Sequence, residues 1–341
     1  MKFHRRLLIS AVILLSSSLS SHAEAIEEVG IRTMTATAAH RGGSIELTVW
    51  YPAGAGGFAE LVGESPVFAG VAGWRDAPIA DGIFPVVLVA HGGLRANPAS
   101  AGWIAAHLAA RGNIVVVALP PKLSPSDAHV APREIWLRPA DLSAALSAAA
   151  VDPALAPHVD LDKVAALGFF LGGTSSLAIA GARLDAESYQ RSCDAPNNGP
   201  DCRWLAKSGV DLHALNAESI TASHLDPRIK MAIAVNAELD RSFSADSLAA
   251  IEMPVQIIDL GQATNTGLEK TIPAARYMAI ADASPFSVFA ICQPKAAIIL
   301  AEEGEDDAVC HDGGQRSRGE IHVEIGGIIE AALLQGFSAQ P

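Results

Sequence analysis

Basic side chains are scarce in this chain. Its 341 residues carry 24 Lys and Arg against 37 Asp and Glu, a formal net charge of −13 at neutral pH. Loss of residues 1–23 would remove Lys2, Arg5 and Arg6 and no acid, moving the balance to −16. A surface of that sign repels phosphate backbones and anionic headgroups, which excludes nucleic acid and anionic membrane as expected partners. Long apolar runs are also missing. Past the N-terminus no stretch of about 18 uninterrupted apolar residues occurs, so no membrane span is expected in the mature chain. Cysteine is limited to Cys193, Cys202, Cys292 and Cys310. None stands at CxxC spacing, so no metal site is expected and His311, beside Cys310, reads as a surface residue. No internal repeat is present, which sets aside solenoids and propellers. Aromatics make up only 5% of the chain, yet half of all residues are hydrophobic, enough for one large core and a single domain.

What is present begins with a leader. Lys2, His4, Arg5 and Arg6 form a basic head and Leu7 to Leu15 an apolar centre. Ser21-His22-Ala23 or Ala23-Glu24-Ala25 then offers a small-residue cleavage site. This is the pattern of a secretory signal peptide over residues 1–23, leaving one domain over 24–341 that is exported to the periplasm or beyond the cell. An oxidising destination makes two disulfides the expectation. Of the three connectivities, Cys193 with Cys202 and Cys292 with Cys310 closes the shortest loops, but spacing alone leaves the choice open.

Strand and helix patterns alternate along the mature chain. Ile31 to Thr37 and Ser44 to Tyr51 read as a hairpin around Arg41-Gly42-Gly43, while Ala53 to Ala80 shows no period and reads as surface coil. Val86 to Ala90 and Ile114 to Leu119 are continuous apolar runs, suited to strands covered on both faces of a parallel sheet. Ser100 to Ala110 between them has helical spacing, and Pro139-Ala140-Asp141 suggests the start of a helix through Ala150. Residues 185–224, with the first cysteine pair, form a polar excursion expected to lie over the site like a cap. Ile229 to Val235, Val255 to Asp259 and Arg276 to Ile280 read as strands and Gly319 to Gln335 as a closing helix. The fold class is therefore α/β, a mostly parallel sheet with helices on both faces and its site at the strands' C-terminal ends.

One stretch organises the rest. Val164 to Phe169 is an apolar strand that turns on glycines, Gly168-Phe169-Phe170-Leu171-Gly172-Gly173, into a helix. Strand, sharp turn and helix are the setting of the nucleophile elbow of α/β-hydrolases, where GxSxG presents a serine at the tip. Here the tip is Phe170, and a phenyl ring is no nucleophile. His91-Gly92-Gly93 ends an earlier buried strand and is similar to the loop that supplies one amide of an oxyanion hole, with Gly93 as that donor. The N–H of Leu171, next after the tip, would be the second donor.

With Val49-Trp50-Tyr51-Pro52, Trp136-Leu137-Arg138-Pro139-Ala140-Asp141-Leu142, Ala180-Gly181-Ala182-Arg183-Leu184-Asp185 and Arg228-Ile229-Lys230, these motifs span nearly all of the mature chain. In them the chain resembles secreted bacterial relatives of platelet-activating-factor acetylhydrolase and dienelactone hydrolase. The resemblance implies an α/β-hydrolase fold, carboxylic-ester hydrolysis, and neither metal nor organic cofactor. It places the family's serine at Phe170, its acid at Asn236 in Ala234-Val235-Asn236-Ala237, and its histidine at Pro285 in Pro285-Phe286-Ser287-Val288-Phe289-Ala290-Ile291-Cys292. All three catalytic positions are lost while the surrounding glycines and cysteines stay.

The expectation is an inactive homologue that binds an ester, acyl or hydrophobic ligand, or another protein. Two alternatives stand beside it: an active esterase, lipase or lactonase with a relocated nucleophile, and a structural or regulatory partner of an active paralogue. Thr174, Ser175 and Ser176 are candidate substitute hydroxyls, expected to bond back into their own helix. Glu238 and Asp240 are candidate substitute acids, expected to be exposed loop carboxylates. His91 and His322 read as supporting residues, and Arg138 with Asp141 as the anchor of a helix start.

Overall fold

The computed structural model describes residues 28–95, 97–195, 199–261, 267–303 and 307–338. The leader expected over residues 1–23 lies outside the described residues. In chain order the elements are β1 (Glu28–Ala38), β2 (Gly43–Ala53), β3 (Phe58–Val62), β4 (Val71–Arg75), β5 (Phe84–Ala90), α1 (Gly102–Ala109), β6 (Ile114–Leu119) and α2 (Glu134–Val151). Then come β7 (Val159–Phe169), α3 (Leu171–Ile179), α4 (Ala186–Gln190), α5 (Gly199–Lys207), α6 (Ala217–Thr221) and β8 (Met231–Val235). The chain ends with α7 (Ala245–Ala249), β9 (Val255–Leu260), α8 (Leu268–Thr271), β10 (Ala275–Ile280), α9 (Ala296–Glu302) and α10 (Arg318–Ser338).

Among the described residues all strands join one sheet in the order β10-β9-β8-β7-β5-β6-β2-β1-β4-β3. From β10 to β6 every neighbouring pair is parallel. The hairpin of β1 and β2 is then laid antiparallel on β6. Period-two alternation sends side chains of the buried strands to two different cores. Val87, Val89, Ala165, Leu167 and Phe169 pack with Ile104 and Leu108 of α1 and with Ile321, Ile325 and Ile329 of α10. Val86, Leu88, Ala90, Val164 and Ala166 pack on the other face with Leu142, Ala145, Leu146 and Ala149 of α2. Helices thus cover both faces, which is why these strands are apolar throughout rather than alternating. The chain leaves β5 for β6 on one side and returns across it to β7 on the other. The C-terminal ends of β5 and β7 therefore flank a topological switch point, where open α/β sheets bind ligands.

Two expectations are corrected. Residues 53–80 are not all coil, because β3 and β4 pair antiparallel at the edge of the sheet. Their signal is weak because an edge hairpin faces solvent on much of both sides, leaving Phe58 76% and Leu61 52% exposed. Helix α2 begins at Glu134 rather than Pro139, which lies inside it. Preceding 3-10 turns at Pro125–His129 and Ala131–Arg133 prepare the earlier start. A proline so near the N-terminal end forgoes only one helical hydrogen bond, and Glu134 pairs with Arg138 across that turn at 3.2 Å. The cysteines pair sequentially, Cys193 with Cys202 and Cys292 with Cys310.

The turn between β1 and β2 is tied to α2 by charge. Arg41 donates to both carboxyl oxygens of Glu134, at 2.8 and 2.9 Å, and to both of Asp141, at 2.7 and 2.6 Å. His40 lies 2.7 Å from the same Asp141. Burial pushes Glu134 upward, but the hydrogen bond from Arg41 and the charge of Arg138 reverse this and hold its carboxyl below the usual range. Truncating one member of such a network strands buried opposite charges. Arg41→Ala is expected to lower unfolding stability by about 3 kcal/mol, seen in urea denaturation as a lower midpoint at unchanged slope.

Candidate functional site

Phe170 stands between the last residue of β7 and the first of α3, with φ 55° and ψ −123°. A bulky L-residue in that region is strained by roughly 1–3 kcal/mol and persists only where neighbours over-determine the backbone. They do so here. The Phe170 N–H donates to Val235 O at 3.0 Å, its carbonyl accepts from Thr174 N at 3.2 Å and Glu238 N at 3.2 Å, and Gly92 N donates to Phe169 O at 3.1 Å. The glycines on either side permit the close approach. A Cβ on Gly168 would overlap the Gly172 carbonyl, and one on Gly172 would overlap the Ala90 carbonyl at the end of β5.

The Phe170 ring is half-buried and packs 5.7 Å from Phe289, in a cluster with Phe68, Phe286 and His91 around that same ring. Asn236 follows β8 at φ 45°, a left-handed conformation asparagine tolerates. Its Oδ1 accepts the Leu260 N–H at 2.7 Å and its Nδ2 donates to the Pro285 carbonyl at 3.5 Å. Positions 236 and 285 are thus in contact, joined by an amide and a carbonyl. Position 170 lies beside them, since its N–H is bonded to Val235.

The three hydroxyls that follow the turn are committed elsewhere. Thr174 donates to the Glu238 carbonyl, Ser175 to Leu171 O at 2.9 Å, and Ser176 to Gly173 O at 2.8 Å and Ile233 O at 3.0 Å. All three residues are buried. His91 is buried too: its Nε2 is 3.4 Å from Val288 O, and its Nδ1 has no partner among the described residues. Burial, with the nearby Arg138 charge, pushes its pKa down to about 4 against the opposing hydrogen bond to Val288, so the ring is neutral. His322 bonds the carbonyls of Ser287 and Phe289 at 2.8 and 3.1 Å and stacks on Trp103 at 3.7 Å.

Gly93 and Leu171 stand at the ends of adjacent strands, and among the described residues neither backbone N–H is hydrogen-bonded. Arg138 sets the shape of the first of these loops, a role the sequence did not reveal. Its guanidinium donates to Gly92 O at 2.9 Å, Gly93 O at 3.0 Å and Leu94 O at 3.4 Å, and to Glu134. Asp141, the partner expected for it, belongs instead to Arg41 and His40.

Over this end of the sheet lies a cleft of about 680 Å³. Leu94, Leu171, Leu205 and Leu212 supply apolar walls, and Asp201, Glu238 and Asp240 line it as carboxyls. The excursion carrying Cys193 and Cys202 forms one side. Glu238 and Asp240 are half-buried, not the exposed loop carboxylates expected. Burial first, then the Asp201 charge, pushes Glu238 up to about 7 against the pull of Arg138. Burial likewise raises Asp240. Asp201, missed at the sequence level, accepts the Leu94 N–H at 3.2 Å. Nothing in a polar excursion marks one aspartate of many as the one folded back onto a distant loop. Among the described residues no cluster of His, Cys, Asp and Glu fits a metal ion, and His311 pairs with Asp307 at the surface.

No protein-family model matches the sequence, and no curated protein matches it. Solved structures do. A ferulic acid esterase from Streptomyces cinnamoneus superposes with a TM-score of 0.58 at 12% identity, over 94% of this chain and 93% of that one. A dienelactone hydrolase from Anabaena variabilis superposes with a TM-score of 0.45 at 13% identity, over 81% of this chain and 95% of that one. The architecture is the α/β-hydrolase fold.

The elbow geometry yields a clean test. Gly168→Ala places a methyl group against the Gly172 backbone, which cannot swing aside, and is expected to cost at least about 3 kcal/mol or to prevent folding. Gly319→Ala, where a Cβ meets open space, is expected to leave the urea midpoint unchanged or slightly raised.

Proposed function

We propose that this chain is an exported protein of the platelet-activating-factor acetylhydrolase and dienelactone hydrolase type that has lost serine-hydrolase catalysis and acts as a binding protein. Its ligand is a small ester, acyl or other hydrophobic molecule, or a protein partner. One observation carries the reading: the strained residue at the β7–α3 turn, where this fold presents its nucleophile, is Phe170. The other two triad-equivalent positions support it, because the bond between Asn236 and Pro285 has neither a carboxylate to orient an imidazole nor an imidazole to take a proton. The hydroxyls of Thr174, Ser175 and Ser176 are spent on backbone carbonyls. Losing triad members costs several powers of ten in rate and leaves only the contribution of binding and backbone amides.

Of the two amides assigned to an oxyanion hole, those of Gly93 and Leu171, the first stands beside two carboxyl groups. The place a Gly93 Cβ would take is 3.3 Å from Asp201 Oδ2 and 3.4 Å from Glu238 Oε1. Carboxylates there oppose the negative charge that acyl transfer develops. The apolar walls of the cleft fit a hydrophobic ligand, and its volume lies within the range of small-molecule sites. Export is supported by the leader pattern and by two disulfides, which persist in oxidising compartments. The reading treats residues 24–341 as one domain with residues 185–224 as a cap.

The test is turnover of short-chain p-nitrophenyl esters by purified protein. No hydrolysis above buffer is expected from the wild type or from Phe170→Ser alone. The triple variant Phe170→Ser, Asn236→Asp, Pro285→His is expected to gain weak, phosphonate-sensitive activity. Hydrolysis by the wild type that a serine-directed phosphonate abolishes would overturn the reading.

A further inference from the structure

The two carboxyl groups beside Gly93 bear on each other as well as on the amide. Asp201 lies in α5, within the excursion, and reaches down to accept the Leu94 N–H at 3.2 Å. Glu238 comes from the loop after β8, and no hydrogen bond to its side chain occurs among the described residues. Both carboxyls converge on Gly93, with one oxygen of each within 3.4 Å of the point where its Cβ would sit. Those two oxygens are therefore at most about 6.7 Å apart, close enough for charges to interact strongly when partly withdrawn from water.

Helix α5 is seated over the loop by Trp204 and Leu205, both buried in the apolar cluster that includes Leu94, Leu171 and Leu212, so opening it must lift these two side chains. Besides Asp201, the Arg95 guanidinium lies 5.0 Å from the Trp204 ring centroid and the Trp204 Nε1–H donates to Pro125 O at 3.1 Å. The Cys193–Cys202 disulfide ties the helix to the end of the preceding segment, so its N-terminal turn stays tethered in any opening. Leu205 and Asp201 of α5 line the cleft directly.

We propose that α5 is a lid over the cleft, and that protonation of Glu238 closes it by removing the like charge opposite Asp201. The charged groups facing Glu238 are few. Asp201 on α5 opposes its ionisation and Arg138 on α2 favours it. Arg191, beyond α4, and Asp240 and Arg241 on its own loop line the same cleft.

Closed, Glu238 titrates at about 7 instead of the ordinary 4.5. Opening carries Asp201 away and admits water, both of which return Glu238 toward its ordinary value. The closed form therefore holds the proton over the window between the two values. Closure is favoured at the acid end, weakens as pH rises through that window, and is weakest above about 7. The interval sets a ceiling of a few-hundred-fold, roughly, on the change in the opening equilibrium. Lid control of this kind holds whether or not any hydrolysis survives.

The experiment is hydrogen–deuterium exchange with mass spectrometry on the disulfide-bonded mature chain at pH 5.5 and pH 8, with exchange times scaled for intrinsic amide rates. Peptides covering α5 are expected to lose protection at least tenfold at pH 8, while peptides from β7 keep theirs. Glu238→Gln, neutral at both values, is expected to hold α5 equally protected at both. Protection of α5 that does not change with pH in the wild type, or a pH dependence that survives in Glu238→Gln, would overturn the proposal. Should that variant fail to fold, the wild type labelled with carbon-13 at glutamate carboxyls decides. One resonance titrating near 7 is expected, and the absence of any glutamate titrating clearly above the ordinary value of about 4.3 would overturn it.

Discussion

The structure turns on a backbone bend that Phe170 would not choose for itself. A phenylalanine at φ 55° is held there by hydrogen bonds with Val235, Thr174 and Glu238 and by the absence of side chains on Gly168 and Gly172. Such strain is ordinarily explained by the work done at the bent residue. Here the residue at the tip bears no reactive group. The bend persists because the same contacts seat α3 on the sheet: Gly172 lies against the end of β5, and Ser176 bonds to Ile233 of β8. Relaxing it would shift a helix that spans the centre of the fold. The geometry is thus required by packing, and the ring of Phe170, packed against Phe289, offsets part of the strain by burying apolar surface.

Around that bend one guanidinium and two carboxyl groups set the electrostatics. Arg138 grips three successive carbonyls of the loop after β5 and so orients that loop with a charge-assisted clamp. Its positive charge lies on the carbonyl side of the loop, while Asp201 takes up an N–H on the other. The excursion thereby becomes part of the site's chemistry as well as its roof, because removing α5 would remove one of the two carboxyl groups beside Gly93.

Much of this was legible in the sequence where one local rule dominates. Val86 to Ala90, Ile114 to Leu119 and Val164 to Phe169 read as strands because burial on both faces demands unbroken apolar runs, and the glycines of the turn read as close approach. The cysteine pairs closed as loop entropy favours. The edge hairpin of β3 and β4 did not show, since strands with solvent on both sides need no pattern. Pro139 misled because an N-terminal rule was applied to a helix already begun on two 3-10 turns. The partners of Arg138 and the meeting of Asp201 with Glu238 were illegible for a different reason. They depend on how an excursion folds back over the sheet, a long-range matter on which residue type and spacing are silent.

On the proposed reading, in which the catalytic groups have been lost, the changes at positions 236 and 285 are physically coupled. Asn236 keeps one structural task of an aspartate there, accepting the Leu260 N–H, without the charge. With proline at 285 there is no imidazole to share a proton or become a cation, so a carboxylate at 236 would face a carbonyl oxygen across the distance now bridged by the Asn236 amide. Two acceptors in contact repel, and a half-buried charge without a partner is costly. Once the base is gone, asparagine is the better residue. Equally, once the acid is gone a histidine at 285 would lose the group that fixes its tautomer. Either change makes the other favourable, and both remove any cost of replacing the nucleophile with an apolar ring. On that reading the three positions are consistent with a stepwise exchange in which a polar relay gave way to a half-buried aromatic ring and an amide–carbonyl hydrogen bond.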